Sequence, residues 1–264
     1  MKRFKTVHYT IHSNKIKDAR GIRFAVLADL HGMEFGPDNR KLLETIHRYR
    51  PDGILIAGDM IVRNDSASLK TASSLLRSLA QQYPVYYAYK LYRTDPQENC
   101  MAARYQEYEK ELKTAGIHIL HNESCSLQVG KTSLTVYGLE VPLIYYKKPF
   151  SPQLKREEVR ELIGEPSSDS LNILLAHSPK YGETYFDWGA DLILSGHYHG
   201  GIVRLGRHNG LLSPQLHPFP KFCCGDFHRK EQHMLVSAGA GEHTIPVRIH
   251  NPRELLMVDL KPNA

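Results

Sequence analysis

Apolar and polar positions alternate in blocks along this chain, and the blocks change character near its middle. Residues 22–28 form a short apolar run that stops abruptly at Asp29-Leu30-His31-Gly32, which predicts a buried strand followed by a loop. Asp38 is placed to cap a helix whose apolar positions Leu42, Leu43 and Ile46 follow helical spacing, and Pro51-Asp52 ends it. Residues 53–57 predict a second buried strand, halted at Gly58-Asp59. Ser66 or Ser68 opens another helix carrying Leu69, Leu75, Leu76 and Leu79, and Pro84 precedes a third strand over 85–89. Met101, Tyr105, Tyr108 and Leu112 then share one stripe of a helix that Gly116 terminates.

Strands predominate from there on. Residues 117–120, 126–129 and 133–137 read as short strands, and the apolar runs 171–176 and 191–195 end at His177 and at Gly196-His197. Strands over 234–238 and 255–260 close the chain, while 165–170 and 205–230 read as its long loops. Early alternation of strand and helix, with strands later, predicts a layered α/β sandwich. Without an internal repeat, a low-complexity tract or a clear linker, one domain over residues 1–264 is expected.

Composition adds exclusions. A chain of 264 residues that is 41% hydrophobic has enough apolar area for a sizeable core, which argues against disorder. No stretch approaches the roughly 20 apolar residues of a membrane-spanning helix. Met1-Lys2-Arg3 is basic, but residues 4–18 are too polar for a secretory signal, so a cytoplasmic location, or one peripheral to a membrane, is expected. The net charge of +6 favours anionic ligands in general, but the basic residues are too scattered for nucleic-acid binding, and none is expected. Cys100, Cys125, Cys223 and Cys224 form no disulfide framework; the adjacent pair is able to ligate metal or oxidise, but reads rather as ordinary loop or half-buried thiols.

Histidine, at 15 residues, is abundant, and its placement carries the chemistry. Four apolar strands end in the same kind of residue: Asp29 with His31, Asp59, His177, and His197 with His199. In open α/β sheets the C-terminal strand edge is where ligands bind. Asp29 and His31 are two apart, as are His197 and His199, so in extended backbone both members of each pair project to one side. Gly58, Gly196 and Gly200-Gly201 allow tight turns around a compact site. Carboxylate with imidazole suits Mn, Fe, Zn, Co or Ni better than Ca or Mg. Six ligands exceed one tetrahedral site, whereas two ions sharing a carboxylate use them all. Such ion pairs support in-line attack of a metal-held hydroxide on phosphorus.

Asp29-Leu30-His31, Gly58-Asp59, His177 and Gly196-His197-Tyr198-His199 resemble the blocks of the calcineurin-like metallophosphoesterases. The resemblance spans about residues 22–260 and is closest to a bacterial phosphodiesterase branch related to UDP-2,3-diacylglucosamine pyrophosphatases. Pro51-Asp52, His121-Asn122-Glu123-Ser124 and Ile245-Pro246-Val247-Arg248 also resemble that branch. It implies a two-sheet mixed β-sandwich flanked by helices, with a dinuclear centre of Mn, Fe or Zn at the sheet edge. It further implies that Asp29, His31 and His199 hold the first ion, that Asp59 bridges, and that His177 and His197 hold the second. The catalytic centre then lies at Asp59 and His199, and the implied substrate is a phosphate-containing small molecule or a lipid-linked one, with membrane association open.

One block departs from the family pattern. The family carries Gly-Asn-His-Glu or Gly-Asn-His-Asp after the third strand, its Asn a ligand of the second metal and its His in contact with phosphate. Here that strand runs into Lys90-Leu91-Tyr92-Arg93. Lys90 to Arg93 replace the block one for one, or, as relatives that continue with Tyr-Arg favour, Lys90-Leu91 stand for all four residues. Under either alignment the Asn and the His are absent, so the second ion is expected to bind more weakly and no side-chain general acid is identified. The Lys-Leu pair reads either as a natural loss or as a deliberate deletion. The expected function is therefore a metal-dependent phosphohydrolase, a phosphodiesterase or pyrophosphatase, with a catalytically impaired metal- or phosphate-binding protein of the same fold as the alternative.

Two loops are read as a rim or lid, or else as solvated surface: residues 142–150 with Tyr145, Tyr146, Lys147 and Lys148, and the stretch with Arg204, Arg207, His208, His217, Phe219, Phe222 and His228. The turn Gly239-Ala240-Gly241 with Glu242-His243 is a further segment able to approach the metals from a late strand end.

Overall fold

A computed structural model of the chain describes residues 2–88, 99–147, 151–213, 218–242 and 247–263, and at 99–101 the backbone alone. Its strands form two six-stranded sheets. The first runs β1 (Lys5–His12), β12 (Glu254–Lys261), β2 (Ile22–Leu27), β3 (Gly53–Ala57), β4 (Val85–Ala88), β5 (His118–Ile119). The second runs β10 (Gly225–Arg229), β11 (Gln232–Val236), β9 (Leu192–Ser195), β8 (Leu171–Ala176), β7 (Thr132–Leu139), β6 (Glu123–Val129). The β2, β3 and β4 strands are parallel, as are β7, β8, β9 and β11; β12 runs against β2, and β10 against β11. Both sheets are therefore mixed, and the expected sandwich flanked by helices is present.

Strand alternation divides the core into three apolar layers. In β2, Phe24 and Val26 face the second sheet, meeting Val136, Ile173, Leu175 and Leu194 between the sheets. Ala25 and Leu27 face the other way, under helices α1 (Arg40–Tyr49), α2 (Ser66–Ala80) and α3 (Asn99–Thr114). On the far side, Leu174, Ile193 and Met234 pack under α4 (Arg156–Ile163) and α5 (Gly182–Trp188). Central strands buried on both faces explain why their sequences are continuous apolar runs. Trp188 anchors the outer layer: it packs edge-on against Tyr137, and its Nε1 donates to Gly164 O at 2.8 Å.

Several expectations need correction. Asp38 does not cap α1: it lies in a short 3-10 turn with φ +52, and Asn39 instead accepts a bond from Phe35 N. Asp65, not Ser66 or Ser68, caps α2 by accepting from Ala67 N. Neither β1 nor helices α4 and α5 were expected, and β10 lies inside the stretch read as one loop over 205–230. The adjacent Cys223 and Cys224 lie in a loop before β10, as expected, but are fully buried rather than half-buried, packed with Tyr198. Tyr89, the expected end of the third strand, lies outside the described residues. Among those residues, no helix is long and apolar enough to cross a membrane.

Candidate metal centre

The parallel ladder of β2 and β3 continues past the strand ends. His31 N donates to Asp59 O at 3.1 Å and Gly32 N to Met60 O at 3.0 Å, so the Asp29 and Asp59 loops run side by side. Asp29 and His31 do not converge through extended backbone as expected. Asp29, His31, Asp59, His197 and His199 all have φ between +45° and +67°. Left-handed backbone is costly for residues with a Cβ, of order 1–3 kcal/mol each, and persists where surrounding structure enforces it. Here the enforcement comes from the two ladders ending at one edge, and it turns successive side chains inward.

The six side chains form two groups, Asp29-His31-His199 and Asp59-His177-His197, and within each the potential ligand atoms lie within 4.8 Å of one another. In the first, His31 Nε2 and His199 Nε2 are 3.2 Å apart, and His199 Nε2 lies 3.3 Å from Asp29 Oδ1. In the second, His177 Nε2 lies 3.1 Å from Asp59 Oδ2, and the His177 and His197 rings meet edge-on at 5.0 Å. Asp29 Oδ1 also lies 3.7 Å from His177 Nε2, so it stands at the junction of the groups.

Three of the six side chains, His177, Asp29 and His199, are held from behind. The His177 Nδ1–H donates to Ala57 O at 2.8 Å, which leaves the Nε2 lone pair facing the site. His197 N donates to both Asp29 oxygens, at 3.1 and 2.9 Å. Asn251 Nδ2 donates to His199 O at 2.5 Å, and the Arg248 guanidinium lies 3.3 Å from His199 Nδ1 while donating to Gly241 O and Ala238 O. Burial pushes the Asp29 carboxyl above its ordinary range, opposed by His177 and His31. A buried carboxylate among imidazoles is what a divalent cation offsets, so the donor set fits two borderline ions.

Glycines make room for this packing. Gly58 has φ +87°, and a Cβ there would sit 2.5 Å from His177 Nδ1. Gly58→Ala is therefore expected to displace His177 and weaken the second site at least about tenfold, on the scale seen when groups behind metal ligands are lost. Calorimetric titration of metal-free protein with Mn reads this directly. The Gly239-Ala240-Gly241 turn does approach the site: Gly241 N donates to Asp29 O at 2.6 Å. His243, which follows it, lies outside the described residues, as do His217, Lys148 and the whole Lys90-Leu91-Tyr92-Arg93 segment.

The expected rim divides. Tyr146 packs edge-on against His197 at 5.5 Å and forms part of the site wall. Tyr145 is buried against Tyr181, and Phe222 against Phe186 and Phe227, so both are core residues. Arg204 is half-buried in an ion pair with Glu254. Asn251 carries no signal in the sequence that could have found it, and Arg248 was legible only inside a motif.

Residues 22–201 match the family model described as calcineurin-like phosphoesterase. The chain belongs to that family. It is thereby a hydrolase of phosphoric esters, from a family that uses divalent metals. Among curated relatives, the Escherichia coli phosphodiesterase YaeI is 24% identical over 92% of this chain and 83% of its own length. Bacillus subtilis YpbG is 24% identical over 96% and 86%. A Caenorhabditis elegans relative is 26% identical over 96% of this chain, which spans only 53% of that protein. The Thermus thermophilus sulfate thiohydrolase SoxB shares the fold, with a TM-score of 0.50 at 14% identity over 92% of this chain and 57% of that one.

Proposed function

We propose that this calcineurin-like phosphoesterase is a phosphodiesterase or pyrophosphatase with two cation sites. Asp29, His31 and His199 hold the first, His177 and His197 the second, and Asp59 bridges. The observation that carries this reading is the pair of three-residue donor groups, linked where His199 Nε2 and His177 Nε2 lie 3.3 and 3.7 Å from Asp29 Oδ1. When bound, such cations supply activated water and neutralise charge developing on phosphorus. The chain's own residues orient them: the Ala57 carbonyl sets the His177 tautomer, and the His197 N–H fixes the Asp29 carboxylate. Tyr146 limits the approach beside His197.

A substrate with a lipid-linked portion is supported by the exposure of Leu143, Ile144, Phe219 and Val247. Leu143 and Ile144 are on the turn that carries Tyr146, and Val247 adjoins Arg248 beside His199. With Lys90-Leu91 where the family carries its His, a leaving group that departs without a proton is favoured. Hydrolysis of bis(4-nitrophenyl) phosphate with added Mn is expected, faster than that of an alkyl phosphate in the same preparation. Faster release of phosphate from the alkyl ester would overturn the assignment.

The same substitution favours a second reading, a protein that binds metal and phosphate without turnover. A complete lack of nitrophenol release from metal-loaded protein selects it.

A further inference from the structure

A second cleft lies on the same edge of the sandwich. Because β12 runs against β2 and β10 against β11, Glu254 and Gly225 begin their strands at the edge where Asp29 and His197 end theirs. The parallel β1 strand brings Lys5 opposite Glu254. Two strand spacings separate β1 from β2 and β10 from β9, so the cleft flanks the metal-type groups by about 10 Å. Its volume is about 660 Å³, within the range of small-molecule sites.

Its lining carries Lys5, Arg204 and Arg207 against Asp226 and Glu254, a small positive excess. Both acidic residues of the lining are occupied: Glu254 pairs with Arg204 at 2.5 Å and accepts from Ala238 N at 3.1 Å, and Asp226 lies 3.1 Å from His233 Nδ1. Lys5 and Arg207, by contrast, have no ion-pair partner among the described residues, and His208, His228 and His250 add imidazole donors. The segment bearing Arg207 is fixed although its guanidinium is exposed. Arg204 Nη2 and Cys224 Sγ both donate to Arg207 O, at 3.1 and 3.5 Å, and Arg204 Nε donates to Gly206 O at 3.2 Å. The neighbouring His208 packs edge-on against Phe227 at 5.2 Å, where only the missing side chain of Gly225 leaves room for its ring. The backbone at Arg207 and the ring of His208 are thus fixed in place at the cleft wall, which lowers the ordering cost of binding there.

We propose that this cleft binds a small phosphate-bearing polyanion, with Lys5 and Arg207 as the charged contacts and the imidazoles as further donors. A guanidinium fork and an ammonium suit clustered phosphate oxygens, and the size of the cleft suits a diphosphate or a nucleotide-sized molecule. The site requires no cation and is separate from the chemistry proposed above.

Calorimetric titration of the full chain, stripped of metal, with inorganic pyrophosphate tests it. One molecule bound per chain is expected. The Lys5→Glu/Arg207→Glu double variant should weaken binding at least about tenfold, the scale of losing one charge-assisted hydrogen bond, and Arg207→Gln alone should weaken it less. Both side chains are exposed, and the double variant is expected to keep its hydrolysis of bis(4-nitrophenyl) phosphate with Mn. Unchanged pyrophosphate affinity in the double variant, or no binding by the parent chain, would overturn the proposal whether or not that hydrolysis is observed.

Discussion

Asp59→Asn is expected to lower the hydrolysis of a nitrophenyl phosphodiester by about 10³-fold, the rate equivalent of the several kcal/mol of charge stabilisation at stake. The substitution keeps the shape of the side chain but removes its charge. Asp59 Oδ2 lies 3.1 Å from His177 Nε2, and the loop that carries it forms one wall of the ladder extension from β3. An amide is a poor metal ligand by comparison with a carboxylate, so the group with His177 and His197 loses its only anion. Steady-state rates at saturating Mn are the measurement. A variant within a few-fold of the parent would mean that turnover does not pass through this carboxylate. Asp29→Asn is the companion case, because Asp29 Oδ1 touches both groups.

Replacing Lys90-Leu91 with Gly-Asn-His-Glu is expected to raise turnover by about 10²–10⁴-fold, the usual contribution of a general acid in place. The gain should be larger for alkyl than for nitrophenyl esters, since only the former need their leaving oxygen protonated. The same replacement should tighten the second metal site by adding an amide ligand. Side-by-side rates on both ester types separate these effects: equal gains on both would assign the improvement to metal occupancy alone. No gain on either would show that the Lys90-Leu91 segment is not where the missing groups belong.

The strands that carry the site were legible because each is buried on both faces. Runs such as residues 53–57 and 171–176 are apolar throughout and then change character in one step at Asp59 or His177. Edge elements were not legible. The β1 sequence mixes polar and apolar residues because its strand lies at a sheet margin, half in solvent. In α4 only Val159 and Ile163 are buried, too few to show a helical stripe, and β10 is a five-residue polar strand that pairs with β11 alone. Asp38 misled because Gly36-Pro37 forces a tight turn before the helix, which puts Asp38 at φ +52 and moves the helix start to Arg40.

The identity of the six site residues was legible, but their geometry was not. Alternation in extended backbone predicts that Asp29 and His31 project to one side, whereas left-handed turns bring them together. Nothing local in the sequence announces such a turn at a non-glycine residue. The packing behind the ligands was equally hidden, since Asn251 reaches His199 from 52 residues away.

Counting bound ions decides whether these six side chains hold two transition-metal cations. Protein equilibrated with Mn, then passed through a desalting column and analysed by atomic emission, should carry more than one ion per chain at high Mn. His177→Ala should abolish the weaker site and spare the tighter one, and His199→Ala should abolish the tighter. Mn content near zero in the parent chain, or unchanged in both variants, would contradict the claim.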